Sequence, residues 1–192
     1  VVGLFLVERA NVAATKLVTL DTTRTQASLE LSAAPAQRLG DAGWGVVERV
    51  YEAARVMIAA EQVGGLERVL EMSVQYAQER KQFGRAIGSF QAVKHLCADM
   101  LVGLESARSA AGYATWALAT GSDELKVAAP LAKAYCSDAF FKAAGDSIQI
   151  HGGIGFTWEH DAHLYFKRAK STELLFGSPA QQRAVLADRL GL

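Results

Sequence analysis

The stretch Gln149-Ile150-His151-Gly152-Gly153-Ile154-Gly155-Phe156 puts three glycines within four positions. Without a Cβ, such residues let backbone amides close on an anion such as a diphosphate. The same residues also end a helix, and the local pattern supports both readings. No Gly-Lys-Ser/Thr follows, which excludes a Walker loop, and no strand pattern leads in, as a dinucleotide-binding βαβ unit requires. A second cluster, Tyr76-Ala77-Gln78-Glu79-Arg80-Lys81-Gln82-Phe83-Gly84, joins a guanidinium fork to an aromatic ring. Arg80 suits a phosphate or carboxylate and Phe83 a neighbouring ring. On composition alone these residues read rather as a solvated helix end whose cations complement the helix dipole.

Other reactive residues carry less. His160 and His163 stand three apart beside Glu159 and Asp161. The zincin spacing is absent and helical geometry turns the two carboxylates in different directions, so no metal site is expected and both histidines are read as structural. Cys97 and Cys136 have no sequence-near base, and no serine elbow occurs.

The chain has 192 residues, 51% hydrophobic, enough to bury a core. Twenty basic and twenty acidic residues cancel, so the charge balance calls for neither nucleic acid nor an anionic membrane surface. Two cysteines inside apolar-periodic segments favour a reduced, cytoplasmic setting. The opening run Val1 to Val7 stops at Glu8-Arg9, too short to span a bilayer, and membrane insertion is not expected. Lacking an initiator Met and a basic leader, the chain reads as cut from something longer.

The elements that must position these residues change character along the chain. Leu4 to Val7, Lys16 to Leu20 and Gln26 to Leu31 read as strands, with a turn at Asp21-Thr22-Thr23-Arg24 and a linker from Ser32 to Gly43. Beyond Gly43, Val47, Tyr51, Ala54 and Ile58 share one face of a helix that runs past Tyr76. Gly64-Gly65 inside it costs roughly 1 kcal/mol per glycine against Ala, which implies close approach of another helix or a ligand. Val93, Cys97, Met100, Leu104, Ala107, Ala111, Ala114 and Leu118 form a seam with steps of four and three. Such a seam predicts near-antiparallel bundle packing at about 20°, and its many alanines suit a bundle better than a coiled coil between chains. Gly121-Ser122-Asp123 ends that helix. A third is expected from near Ala129 to Ser147 with Pro130 in its first turn, then shorter helices from Glu159 to about Leu175 and from Pro179 to Leu190.

In order and spacing, these segments closely resemble the C-terminal portion of the flavin-dependent acyl-CoA dehydrogenases. The match takes in Arg55, Tyr76 to Gly84, Phe90-Gln91-Ala92-Val93-Lys94, Ala132-Lys133-Ala134, Gln149 to Phe156, and Arg168-Ala169-Lys170 through Gly177. The resemblance implies a mainly α fold: a C-terminal four-helix up-down bundle over 39–192, preceded at 1–38 by the last strands of a middle β domain. It implies FAD, gripped by Arg80, Gln82, Phe83, Gln91, Gln149, Ile150, His151, Gly152 and Gly153, the FAD being that of a neighbouring subunit in a tetramer. It further implies α,β-dehydrogenation of an acyl-CoA, with electrons passed to an electron-transfer flavoprotein.

At the catalytic base the sequence departs from the family it resembles. The usual glutamate position before a Gly-Thr pair matches Phe176, before Gly177-Ser178, and the alternative position directly before Arg55 holds Ala54. Neither side chain accepts a proton. Glu52 and Glu173 are the nearby carboxylates, each also readable as a solvated or ion-paired surface residue. Three readings follow: a subunit of a homo- or hetero-oligomer whose partner chain supplies the base, a self-sufficient dehydrogenase with a relocated glutamate, or a non-catalytic flavin or CoA-ester binder.

Overall fold

The computed structural model describes residues 2–41 and 43–192. It divides into two compact units, Val1–Tyr51 and Glu52–Leu192.

The first unit is built from two antiparallel ladders. β1 (Phe5–Val7) pairs with β4 (Ala36–Arg38) in the register Phe5 to Arg38, and β2 (Ala13–Lys16) pairs with β3 (Ala27–Glu30) in the register Ala13 to Glu30. The strand expected at Lys16–Leu20 instead ends at Lys16. Leu17 N–H donates to the Gln26 carbonyl at 2.9 Å, after which Asp21 nucleates the turn, accepting from Thr23 N–H at 2.9 Å. The expected linker contains β4, a strand of three residues, too short to display an alternation. Phe5, Leu6 and Leu29 are exposed on these ladders.

In the second unit, α1 (Trp44–Glu79, entering from the first unit), α2 (Gln91–Thr120) and α3 (Leu125–His151) run up, down and up. The directions follow from contacts. Gln62 meets Ser137 and Ser73 meets Ser147, so α1 and α3 are parallel, while Cys136 Sγ reaches the Ala107 carbonyl at 3.6 Å and Tyr113 bonds Glu124, so α2 and α3 are antiparallel. Shorter helices α4 (Ala162–Leu174) and α5 (Pro179–Leu190) both descend along α3 and supply the fourth member of the bundle. The seam read on α2 faces inward: Met100, Leu104, Ala107, Ala111 and Ala114 are buried. Of the two central glycines of α1, Gly65 permits close approach, since a Cβ there would lie 2.5 Å from the Phe140 ring; Gly64 faces open space.

Helix ends account for the remaining differences. α3 begins at Leu125 rather than Ala129, so Pro130 lies inside it. Proline lacks the N–H that would bond the Lys126 carbonyl, and Arg189 of α5 donates to that carbonyl instead while pairing with Glu52 at 3.0 Å. α4 starts at Ala162, not Glu159, because His160 Nδ1 accepts the Ala162 N–H at 3.1 Å and marks its first turn. α5 has the expected bounds, with Pro179 in its first turn and a capping box between Ser178 and Gln181. Among the described residues no helix is long and apolar enough to cross a membrane.

Candidate functional site

The C-terminal ends of α1 and α3 and the start of α2 come together at one end of the bundle. α1 stops at Glu79, and a hairpin follows: β5 (Lys81–Gln82) pairs with β6 (Arg85–Ala86) around Phe83 and Gly84. Both tip residues have positive φ, 53° and 77°. A two-residue hairpin demands this geometry, and it is strained for a phenylalanine. Phe83 is nevertheless 91% exposed, with one edge toward Phe90 at 6.1 Å between centroids, and the Arg85 guanidinium lies 4.1 Å over Phe90. Gly88 closes the corner: a Cβ there would lie 2.9 Å from the Ala77 carbonyl.

His151 ties α3 to this corner. It is buried, its Nδ1 donates to the Ser147 carbonyl at 2.7 Å, and its ring lies 4.5 Å from Tyr76 and 4.3 Å from His160. Burial pushes its pKa down; the Ser147 carbonyl opposes this and nearby His160 reinforces it. The neutral ring is therefore a packing element between helices. Ile150 is buried in the core, so what these two residues offer a ligand is backbone. Arg80, Gln82, Phe83, Gln91, Gln149 and Gly153 are all exposed.

The three glycines separate by function. Gly152 has φ 61° and caps α3, and its amide bonds back to the helix. Gly155 packs tightly, its missing Cβ lying 2.8 Å from the Ile148 carbonyl. Gly153 has neither reason: its backbone is ordinary and a Cβ there would meet nothing within 4 Å. A bare, exposed backbone beside exposed Gln149 fits the close approach of a group from outside the chain.

A second constellation surrounds the turn between α4 and α5. Phe176, at φ 56°, is 40% exposed, and Gly177 follows at φ 103°. Lys133 of α3 has no exposed surface and donates to Ser137 Oγ at 2.9 Å, the Glu173 carbonyl at 3.1 Å and the Gly177 carbonyl at 3.2 Å. Buried Gln182 donates to the Phe176 carbonyl at 2.7 Å. Burial lowers the Lys133 pKa to about 8; Glu173 works against the shift and Arg55 with it. Arg55 of α1 thus lies near the same turn.

Both candidate carboxylates are engaged in ion pairs. Glu52 is buried against Arg189, and the Glu173 carboxylate holds Lys170 at 3.0 Å. Glu173 also offers its carbonyl to Lys133, which belongs to the quoted Ala132-Lys133-Ala134 segment but has no role in the sequence reading. Its signal was available: Lys133, Ser137, Phe140 and Ala144 follow one helical face, so a lysine occupies a core position. His163 Nε2 lies 3.4 Å from the Trp158 carbonyl, and among the described residues no three His, Cys, Asp or Glu side chains gather as metal ligands.

Residues 41–191 match the family model described as acyl-CoA dehydrogenase, C-terminal domain, and the chain belongs to the acyl-CoA dehydrogenase family. Among curated relatives, the acyl-CoA dehydrogenase IpdE2 of Mycobacterium tuberculosis is 45% identical over 132 residues, which is 69% of this chain and 40% of the relative. The chain spans less than half the length of the curated relatives it matches. Among solved structures, the ChsE4-ChsE5 complex from Mycobacterium tuberculosis superposes with TM-score 0.85 at 31% identity, over 94% of this chain and 49% of that one. PigA, solved with FAD and proline, gives TM-score 0.89 at 27% identity over 98% and 51%.

Proposed function

We propose that this chain forms the helical C-terminal part (39–192), with the last strands of a β domain at 1–38, of an FAD-dependent acyl-CoA dehydrogenase whose catalytic base comes from a partner chain. The observation that carries this reading is the contrast between the two constellations. The exposed set Arg80, Gln82, Phe83, Gln91, Gln149 and Gly153 is chemically suited to a dinucleotide, whereas the base position holds Phe176 and the neighbouring carboxylates Glu52 and Glu173 are ion-paired. PigA with bound FAD and the two-protein ChsE4-ChsE5 complex, both similar to this chain, support cofactor and assembly respectively.

In this reading Arg80 offers its planar fork to the diphosphate, the Gly152-Gly153 backbone lets that group come close, and Phe83 covers a ring. The chemistry supplied by bound FAD is two-electron acceptance of the hydrogen on the β-carbon of the acyl thioester. The α-proton goes to a carboxylate of the partner chain, and an electron-transfer flavoprotein reoxidises the enzyme. Phe176 accepts no proton; it lines the site as an apolar wall.

The test is to express the full-length protein alone and with its partner, then measure bound flavin and dye reduction across an acyl-CoA panel. Turnover only in the pair is expected. Turnover by the lone protein that disappears on Glu52→Gln or Glu173→Gln would place the base in this chain. Bound flavin without turnover in any pairing would instead establish a non-catalytic binder.

A further inference from the structure

The polar network behind Phe176 is more elaborate than a turn requires. A lysine stripped of water pays a desolvation cost of several kcal/mol, and a hydrophobic residue of similar volume often serves stability as well. Here the three ammonium hydrogens find three acceptors: Ser137 Oγ and the carbonyls of Glu173 and Gly177. The Glu173 carbonyl belongs to the last turn of α4, where intrahelical partners run out and a cation complements the helix dipole. The Gly177 carbonyl lies beyond the helix. One ammonium therefore bridges the residues on both sides of Phe176, while Gln182 holds the Phe176 carbonyl itself. The network continues away from the turn through Ser137 to buried Gln62 of α1 at 3.0 Å.

Backbone conformation at the turn makes this bridging consequential. Phe176 at φ 56° occupies a region unfavourable to an L-residue with a side chain, and such a conformation persists only where its surroundings over-determine it. Gly177, at φ 103°, adopts a conformation that strains any residue with a side chain, and a Cβ there would lie 2.4 Å from Gln182 Nε2, pressing on the amide that holds the Phe176 carbonyl.

We infer that Lys133 is a positioning residue: its buried ammonium clamps the carbonyls of Glu173 and Gly177 and so fixes the direction in which residue 176 presents its side chain to the acyl-CoA site. The site assignment rests on the dehydrogenase reading; the clamp does not, and its test uses neither flavin nor turnover. Around the ammonium stand Glu173 of α4, Arg55 of α1, and Cys136 and Asp138 of α3, with Asp138 paired to Arg183 of α5.

The experiment is fluorine NMR of the full-length protein carrying a fluorinated ring at Phe176, with folding checked by circular dichroism. The native chain is expected to give one resonance. Lys133→Met should shift or split it, whereas Ser73→Ala, which breaks a buried α1–α3 contact remote from the turn, should leave it in place. An unmoved resonance in folded Lys133→Met, or an equal change in Ser73→Ala, overturns the clamp. Should Lys133→Met fail to fold, the native resonance is followed with pH. Any change with pH is compared with that in Lys133→Gln, whose shorter side chain cannot reach both carbonyls: a resonance shifted or split in Lys133→Gln is expected, and one unmoved in the folded variant overturns the proposal.

Discussion

Where α1, α2 and α3 meet, polar residues face solvent around a buried, neutral histidine. At the α4–α5 turn the arrangement is reversed, with a lysine and a glutamine sealed inside behind a partly exposed phenylalanine. His151 lies 18 residues, or about 27 Å of helix, beyond Lys133. The first region leaves its polar side chains exposed, and in the proposed function they receive a group from outside; the second directs its polar atoms to the backbone of its own turn. A carboxylate-free position held by so many hydrogen bonds indicates that geometry at 176 matters even where the side chain does no proton chemistry.

The largest expected effect tests whether the turn still aims at substrate. Phe176→Glu places a carboxylate on the clamped backbone, and dye reduction with acyl-CoA by the flavin-loaded chain should rise by at least about 100-fold, the lower range for general-base catalysis. No gain would show that the clamp holds a direction unrelated to chemistry. The next effect concerns the buried cation. The folded pKa of Lys133, about 8, lies below its ordinary 10.5, so between these values the unfolded chain binds more protons and stability rises with pH. Urea unfolding should show a gain of about 3 kcal/mol across that window, absent in Lys133→Met.

At the open end, Arg80→Ala should weaken flavin binding by about 10- to 100-fold, the loss of a charge-assisted hydrogen bond, with thermal stability unchanged. Flavin fluorescence titration reads this directly. An effect on stability instead would make Arg80 part of the fold and blur the contrast. Gly155→Ala should cost about 1–3 kcal/mol in chemical denaturation, because its Cβ would press on the Ile148 carbonyl. Gly153→Ala, two residues earlier, should change stability by no more than about 0.5 kcal/mol while still lowering flavin retention.

Much of the helical architecture was legible because its signals are local. The α2 seam shows in a repeat of small apolar residues, and α5 is bracketed by Ser178-Pro179 and Gly191. What escaped depended on partners distant in sequence. Pro130 signals a helix start unless Arg189, far down the chain, is known to supply the missing donor. The Gly64-Gly65 pair looks symmetrical until Phe140 is found against only one member. Of the candidates at the open end, Arg80, Phe83 and the glycines were singled out by residue type and Gln82, Gln91, Gln149, Ile150 and His151 by the family resemblance, but burial of Ile150 and His151 divides the set into surface and scaffold, a distinction that motif spacing does not contain.

The bond from Arg189 to the Lys126 carbonyl carries an evolutionary consequence. Positions 130 and 189 are an epistatic couple: while proline stands at 130, losing the arginine orphans a carbonyl in the first turn of α3 and also frees the buried Glu52 charge. A lineage can shed either constraint most easily in one order, first regaining an N–H at 130 and neutralising position 52, and only then letting 189 drift.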